Sequence, residues 1–559
     1  MTNPSRMILA STGLQSLDYL VVLVYLIGVL GAGWYFSRSQ TKTDEFFVAK
    51  RQMPWMAVGL SIIATMLSTV SYLATPGEVI RHGLALAIGW LAIPLCFVVV
   101  NFLWIPFFMR LQVTSIYEYL EPRFGLATRW LAVFLFVAIL RLFWMATIVL
   151  TAARAVAQIT HESILAFLPV EMTLNQWTLV VLFSVGVLST FYTMLGGIKA
   201  VIWTDVVQCV VLFLGVVLTL SFVAARTGTG PFDWWQTTTS SEGEGHRFPA
   251  IFSFDITTRN VLLFTILHTV TWYSCTFIAD QVAVQRYLTT TSVRAAIRGN
   301  VVNFVGDFFM MSLLAVCGMA LLSYYLDPRF QTEIIKGVID PRNEAVADKV
   351  FPHFIAYGLP LGISGIVVAA LFAVAMSSLD SGVNSVSAVL TVDVFQRLNG
   401  MLSDRDSLRL AKMLTLIVGL GCTLLAWGMS LLPEHYNIIG ITARTFNCAL
   451  GPLASLFFVG MFFRHVGQRA VIIGAVTGLV TAVSSAWWVE LRWILGLTKY
   501  IQLSDAVNHL SGPTPFLITP LAVVVSVGLS WIMGFIFPCT NPDEVDRLLW
   551  RSLARREES

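Results

Sequence analysis

The chain has 559 residues, of which 57% are hydrophobic and 12% are charged, and its mean hydropathy is +0.77. This composition excludes a soluble globular protein, whereas the length is sufficient for a dozen or more membrane spans of about 20 residues each. The formal charge of +3 at pH 7 is small, and the basic residues gather between apolar stretches rather than on a face suited to nucleic acid.

Apolar stretches in chain order predict an all-α integral membrane protein with about thirteen transmembrane helices. They lie at about 17–37, 54–76, 84–109, 127–156, 175–195, 199–224, 259–280, 300–325, 360–395, 409–432, 435–463, 467–490 and 513–537. The ninth stretch is too long for one simple crossing, so we expect part of it to bend or to lie at a surface.

The spans predict a single transmembrane domain over residues 1–537, with a core at about 54–463. Residues 538–559 then form a short cytoplasmic tail, which is too short to carry an enzyme. We expect this tail to form one short amphipathic helix at the inner membrane surface.

Lysine and arginine residues are distributed unevenly over the two sides of these spans. With the N-terminus outside, the internal connections contain basic groups such as Lys50, Arg123, Arg286 and Arg405, while the short external connections contain few. Positive charge is enriched in cytoplasmic loops. We therefore predict a multi-pass protein of the cell membrane (plasma or inner), surrounded by lipid, with its N-terminus outside and its C-terminus in the cytoplasm.

Two of the spans are interrupted by polar residues. The second contains Ser68, Thr69 and Ser71, and the seventh carries a run of polar and aromatic side chains between His268 and Thr276. The two spans lie five apart in the order of helices. Interruptions at corresponding places indicate two inverted five-helix halves, an architecture of secondary transporters.

The ninth span holds a dense group of polar residues at membrane depth. On a helix, Ser377, Asp380 and Ser381 share one face, and Ser378 is adjacent. An aspartate at the membrane centre costs roughly 2.5–3.5 kcal/mol on insertion scales, a cost that a bound small, hard cation would offset. The alternative is that the serines only let neighbouring helices approach closely. The aspartate within the group favours a cation site.

No motif of enzyme chemistry accompanies this group. The sequence contains no P-loop, nucleophile elbow or metalloprotease motif, and no spacing of His, Cys and carboxylate typical of zinc or iron. We therefore expect a transporter of a small molecule rather than an enzyme, with no organic cofactor.

Four motifs, in the same order along the chain, resemble those of the sodium:solute symporter family. They are DEFFVAKR at 44–51, SIYEYLEPRF at 115–124, GGIKAVIWTD at 196–205 and DQVAVQRYL at 280–288. The resemblance extends from the first span to about residue 465, with local similarity to the sialic-acid, monocarboxylate and vitamin branches. It implies a sodium-coupled symporter that works by alternating access, with a LeuT-like core of two inverted repeats, spans 2–6 and 7–11.

The resemblance also implies a principal sodium site. Its ligands would be the main-chain carbonyls of Ala64, Leu67 and Val374 and the hydroxyls of Ser377 and Ser378. An unwound helix leaves carbonyls free, and sodium prefers about five or six oxygen ligands.

Some members of the family hold a second sodium ion, which here would lie among Asp205, Ser377, Asp380 and Ser381. Asp380 departs from the family pattern, which has a hydroxyl residue at that place. The additional carboxylate is compatible with a tighter second site, with a proton, or with an ion pair to an arginine. Asp205 has an alternative role as a helix cap.

Arg141 lies deep in the fourth span, where a charged side chain costs several kcal/mol unless it faces a polar cavity or a partner. A guanidinium binds a carboxylate through two parallel hydrogen bonds, so we expect an anionic solute, such as a carboxylate. The sialic-acid branch, which the chain resembles locally, has an arginine at a similar place for this purpose. The alternative is that Arg141 or Arg444 neutralises Asp380 or Asp205.

The same resemblance places Ser68, Ser71 and Tyr273 around the solute, and Arg444 near a polar substrate contact of sugar-carrying members. The predicted function is therefore sodium-coupled import of a small organic anion. Two alternatives are a membrane sensor that binds solute on the same fold without useful flux, and a symporter coupled to protons through Asp380.

Overall fold

The computed structural model describes residues 13–37, 42–85, 87–165, 171–240, 262–330, 346–400, 403–433, 438–496 and 514–554. Every regular element within these ranges is a helix, so the described protein is all-α, as predicted.

The α-helices differ widely in length, and the longest form the membrane-spanning bundle. They are α1 (Ser16–Ser37), α2 (Thr43–Val48), α3 (Trp55–Met66), α4 (Thr69–His82), α5 (Ile93–Val99), α6 (Ile105–Leu111), α7 (Leu120–Phe124), α8 (Leu126–Phe134), α9 (Leu142–Leu165), α10 (Leu174–Thr227), α11 (Pro231–Thr239), α12 (Leu262–Ala279), α13 (Gln281–Leu288), α14 (Val293–Leu326), α15 (Ala347–His353), α16 (Ile363–Val389), α17 (Gln396–Asn399), α18 (Asp404–Ser430), α19 (Ile438–Phe462), α20 (Gln468–Ala486), α21 (Trp488–Ile494), α22 (Ile518–Ile536), α23 (Pro542–Asp546) and α24 (Trp550–Ala554).

Short helical turns of other types connect or extend these helices. The 3-10 turns are Ala49–Arg51, Gly83–Ala85, Ala87–Ala92, Ile116–Tyr119 and Pro515–Leu517, and the π-turns are Val100–Trp104, Leu135–Arg141, Phe354–Gly358 and Leu390–Phe395. A π-turn inside a helix often marks a functional site. One of these π-turns ends at Arg141, in the fourth predicted span.

The number of membrane crossings agrees with the sequence. Eleven helices of the described residues are long and apolar enough to cross a membrane, and α3 and α4, which meet at a bend of 64°, make a twelfth. Helix α10 has 54 residues, about 81 Å at 1.5 Å per residue, against a hydrocarbon core of roughly 30 Å. It turns at Gly197, where φ is 56°, and contains both the fifth and the sixth predicted spans. Counted as two crossings, α10 brings the total to thirteen.

The ninth predicted span occupies the centre of the bundle. All but Ile363 and Ile366 of the 27 residues of α16 are buried. One helical run continues from Ile363 to Leu398 through the π-turn at Leu390–Phe395. At about 54 Å, these 36 residues exceed the hydrocarbon thickness of roughly 30 Å.

The last described residues are fastened to the bundle. The chain forms two short helices there, α23 and α24, instead of the single amphipathic helix predicted. The Trp550 indole donates a hydrogen bond to the Leu103 carbonyl at 2.8 Å, and Arg464 lies 3.3 Å from Asp543 and 2.8 Å from Asp546. The tail therefore packs against the third span.

All seven cysteines lie among the described residues, and each has a free thiol. Six are buried and one, Cys539 after the last span, is partly exposed. The buried six are Cys96, Cys209, Cys275, Cys317, Cys422 and Cys448. They pack as small hydrophobic side chains, as their positions in apolar stretches predict.

Candidate functional site

The second span is broken between α3 and α4, as its polar interruption predicts. Leu67 and Ser68 have extended backbone conformations, with ψ angles of 117° and 162°. The last carbonyls of α3 therefore lose their helical partners. Ser68 caps α4, since its hydroxyl accepts a hydrogen bond from the Ser71 main-chain N–H at 3.2 Å.

Ser377 and Ser378 of α16 face this break. The Ser377 hydroxyl donates to the Ala64 carbonyl at 2.8 Å and to the Val374 carbonyl at 3.2 Å. The Ser378 hydroxyl lies 3.3 Å from the Leu67 carbonyl oxygen and 3.4 Å from that of Thr65. The structure therefore brings together all five oxygens predicted for the principal sodium site.

This group of oxygens suits a small, hard cation. It contains no nitrogen or sulfur, and its carbonyl dipoles converge on two hydroxyls that can turn their lone pairs toward an ion. The Thr65 carbonyl, which the sequence analysis did not include, adds a sixth oxygen. Because Ser377 and Ser378 are buried, an ion here would exchange its water shell for protein oxygens.

The seventh span is broken as well, but at another place than its polar run suggested. Helix α12 continues through that run to Ala279, and the break lies at Asp280, where φ is −90° and ψ is 110°. The Asp280 carboxylate accepts a hydrogen bond from the Val282 N–H at 3.0 Å and so caps α13. Breaks in the second and seventh spans are those expected for the two inverted repeats.

Arg141 reaches this second break. Its guanidinium forms an ion pair with Asp280, in which Nε donates a hydrogen bond to Oδ1 at 3.2 Å and Nη2 contacts Oδ2. Both side chains are buried, and the guanidinium lies 5.7 Å from the centre of the Phe446 ring. Pairing with Asp205 or Asp380, the alternative considered from the sequence, is wrong for this arginine. Asp280 neutralises it instead.

The remaining residues predicted around the solute have hydrogen-bond or ion-pair partners of their own. Ser68 and Ser71 share a hydrogen bond of 3.1 Å at the start of α4. Arg444 is partly exposed and pairs with Glu490 at 3.0 Å, so it neutralises neither Asp205 nor Asp380. Among the described residues, no hydrogen bond or ion pair joins Arg444 to Arg141 or to the serines.

Tyr273 has a partner that the sequence analysis missed. Its hydroxyl donates a hydrogen bond to the carboxylate of Asp307, a buried residue of α14. Asp307 lies inside the eighth predicted span. A lone acid within an apolar stretch is by itself a signal of function and would have identified it.

Two of the residues predicted for a second sodium ion, Asp205 and Ser381, contact an arginine. Asp205 Oδ2 lies 3.2 Å from Nη2 of Arg286, and the same guanidinium bonds to the hydroxyl of Ser381. Asp205 also accepts hydrogen bonds from Ser61 at 2.6 Å and Thr65 at 3.3 Å. Arg286 had been placed in an internal connection. The structure buries it completely, because Asp205 supplies the opposite charge.

Asp380 lies beside this ion pair without an arginine of its own. Tyr192 and Ser381 donate hydrogen bonds to its two oxygens, the latter at 2.9 Å. No basic side chain of the described residues lies within ion-pair distance of it. The predicted cluster therefore contains two buried carboxylates and one guanidinium.

A family model described as "Sodium:solute symporter family" matches residues 46–480. The chain belongs to the sodium:solute symporter family. The symporter is 27% identical over 476 residues to the sodium/sialic acid symporter NanT of Aliivibrio fischeri, covering 83% of this chain and 87% of NanT. It is 29% identical over 488 residues to the sodium/sialic acid symporter SiaT of Proteus mirabilis, covering 85% of this chain and 91% of SiaT. It is 28% identical over 482 residues to human sodium-coupled monocarboxylate transporter 2, covering 85% of this chain and 72% of that transporter.

Solved structures show the fold of the symporter. A substrate-bound, outward-open Na⁺-coupled sialic acid symporter has a TM-score of 0.78 at 23% identity, covering 94% of this chain and 98% of that one. Mhp1, a nucleobase-cation-symport-1 family transporter in a closed conformation, has a TM-score of 0.53 at 11% identity, covering 90% of this chain and 97% of Mhp1. The predicted LeuT-like architecture is confirmed.

Family membership also confirms the predicted class of activity. The symporter is a multi-pass membrane protein that couples the movement of a solute to sodium by alternating access, and it is not an enzyme. Sodium is its coupling ion, and family members of this kind need no organic cofactor.

Proposed function

We propose that this symporter imports a small organic carboxylate together with sodium across the cell membrane. Sialic acids and monocarboxylates, which the names of its relatives give as their solutes, carry a carboxylate. The observation that carries the sodium part of the proposal is the meeting of Ser377 and Ser378 with three carbonyls of the broken second span, those of Ala64, Thr65 and Leu67. The membrane orientation that we propose, with the N-terminus outside and the C-terminus inside, rests on the distribution of basic residues.

The direct test is uptake by the purified symporter in liposomes with an imposed inward sodium gradient. We expect accumulation of at least one carboxylate from a panel of N-acetylneuraminate, lactate, pyruvate, butyrate, alanine and 4-aminobutyrate, and none when potassium replaces sodium. Sodium-dependent binding without flux would favour the sensor. Uptake driven by a pH gradient in the absence of sodium would favour proton coupling through Asp380.

Arg286 bears on the number of coupled ions. A guanidinium between Asp205 and Ser381 supplies the positive charge that a second sodium ion would bring. We therefore propose one sodium ion per solute, bound at Ala64, Leu67, Val374, Ser377 and Ser378. In this arrangement the arginine is a permanent replacement for the second ion.

Arg141 is the proposed ligand of the solute carboxylate. Asp280 engages Nε and Nη2, whereas Nη1 has no hydrogen-bond partner among the described residues. A guanidinium offers five N–H groups in a fixed fork, so it can hold Asp280 and a solute carboxylate at once. Ser68, Ser71 and Tyr273 complete the proposed pocket, and the pairing of Arg444 with Glu490 favours a structural role for Arg444.

Arg141→Lys is expected to raise the dissociation constant of the solute at least tenfold, about 1.4 kcal/mol. Lysine keeps the charge that Asp280 needs but loses the second hydrogen bond to the carboxylate. Calorimetry in sodium chloride measures the constant, and expression with monodispersity checks the fold. Arg444→Lys, which alters the same type of pair at an exposed place, should leave the constant unchanged. Unaltered affinity in Arg141→Lys would remove this arginine from the pocket.

A further inference from the structure

Asp307 is a buried acid that no arginine or lysine of the described residues neutralises. It is 6% exposed, and Tyr273 donates a hydrogen bond to one of its oxygens. No basic side chain of the described residues lies within ion-pair distance, and its other oxygen accepts no hydrogen bond from them. An unpaired carboxylate at membrane depth is costly, so it indicates a cationic partner that is supplied from outside the chain.

Asn303 provides a second unsatisfied acceptor next to this carboxylate. It precedes Asp307 by one turn of α14, on the same face. Its Nδ2 donates to Asn300 at 3.4 Å, but its buried Oδ1 has no hydrogen-bond partner. Two oxygens that accept no hydrogen bond from the described residues, one of Asp307 and Oδ1 of Asn303, therefore belong to side chains one helical turn apart on the same face of α14.

Aromatic side chains connect this place with Arg141. The ring of Tyr273 lies 5.7 Å from Phe304 and 5.2 Å from Trp272, measured between ring centres. Trp272 lies 6.4 Å from Phe446, whose ring faces the Arg141 guanidinium. A continuous aromatic wall thus runs from a cationic group to an anionic one.

We propose that Asp307 binds a protonated amine of the solute, so that the transported carboxylate also carries an ammonium group. The proposal rests on the proposed function, in which Arg141 holds the carboxylate. An ammonium has three N–H donors. The free oxygen of Asp307 and Oδ1 of Asn303 accept two of them. Sodium fits less well here, because it requires about five or six oxygens.

Pairs of solutes that differ only in the amine group test the ammonium separately from the carboxylate. The purified symporter is titrated in sodium chloride with alanine, 4-aminobutyrate and 6-aminohexanoate, and with propionate, butyrate and hexanoate. We expect at least one amino acid to bind tenfold or more tightly than its matched acid. In Asp307→Asn this preference should disappear, while the sodium dependence of binding is kept. Asp406→Asn, at an exposed acid, is the control and should retain the preference.

Three results overturn the inference: equal affinity within every pair, no binding of any amino acid, or an unchanged preference in Asp307→Asn. A change in the number of sodium ions per solute in that variant, with the preference kept, would make Asp307 a metal ligand instead. If Asp307→Asn does not fold, Tyr273→Phe tests the same contact and should reduce the preference. Plain acids that are imported with sodium as well as amino acids would contradict only this inference, whereas failure of every carboxylate would contradict the proposed function.

Discussion

Replacing Ser377 and Ser378 together by alanine is expected to abolish the sodium dependence of transport while the protein stays folded. Each hydroxyl replaces one water molecule of the dehydrated ion, and alanine replaces nothing. The remaining carbonyls of Ala64 and Leu67 lie in the second span and that of Val374 in the ninth, and the hydroxyls of Ser377 and Ser378 link the two groups. Without the ion, the transporter loses the roughly 2.3 kcal/mol per 100 mV that each sodium charge contributes, about a fiftyfold loss in accumulation.

Uptake measured against sodium concentration tests this expectation, first in each single variant and then in the double variant. Ser387→Ala is the matched control, since Ser387 lies on the same helix and is equally buried, but its hydroxyl bonds to its own helix at Val383. That control should behave like the wild type. If the double variant keeps the sodium activation of the wild type, the principal site lies elsewhere.

Arg286→Met is expected to destabilise the symporter by about 3–5 kcal/mol, because it leaves the buried carboxylate of Asp205 without a counter-charge. Asp205→Asn should also destabilise it, since Arg286 then keeps only neutral partners such as Ser61, at 2.9 Å. The double variant Arg286→Met with Asp205→Asn should recover much of the loss. Thermal unfolding in detergent, at fixed sodium concentration, measures the three differences.

A partly exposed pair provides the comparison for this double-mutant cycle. Arg444 and Glu490 are 36% and 29% exposed at their side chains, and surface pairs contribute at most about 1 kcal/mol. Removing them singly or together should therefore change the unfolding temperature little. A coupling between Arg286 and Asp205 no larger than in this partly exposed pair would contradict the structural role.

Sodium in excess should stabilise Arg286→Met more than the wild type, because the vacated place between the carboxylates then admits the ion.

The meeting of Ser377 and Ser378 with the broken second span was predictable because its signals are local in the sequence. Serines inside apolar stretches stand out, and family motifs assign carbonyls such as that of Leu67 to the broken helix. The count of thirteen spans follows from hydropathy alone, which is also local. The fifth and sixth predicted spans form one helix, α10, but the turn at Gly197 separates them where the sequence predicts a boundary.

What the sequence did not predict are pairings between distant spans. Arg286 and Asp205 are 81 positions apart, and Arg141 and Asp280 are 139 apart. An arginine near a span end has the same hydropathy whether it faces water or a buried carboxylate, so Arg286 was placed in a loop. The sequence likewise predicts the break of the seventh span within its polar run, whereas the structure has the break after that run, at Asp280. Helix packing satisfies the polar side chains of the run, so α12 continues through it.

The burial of the cysteines has a practical consequence for observing alternating access. Charged maleimides that do not enter membranes reach only accessible thiols, and Cys539 is the one native thiol that is not buried. Cys539→Ser should therefore give a background that these reagents do not label, without disturbing the packing of the other six. A single cysteine introduced at Ser71, which lines the broken helix, would then report from which side of the membrane the solute pathway is open, with and without sodium.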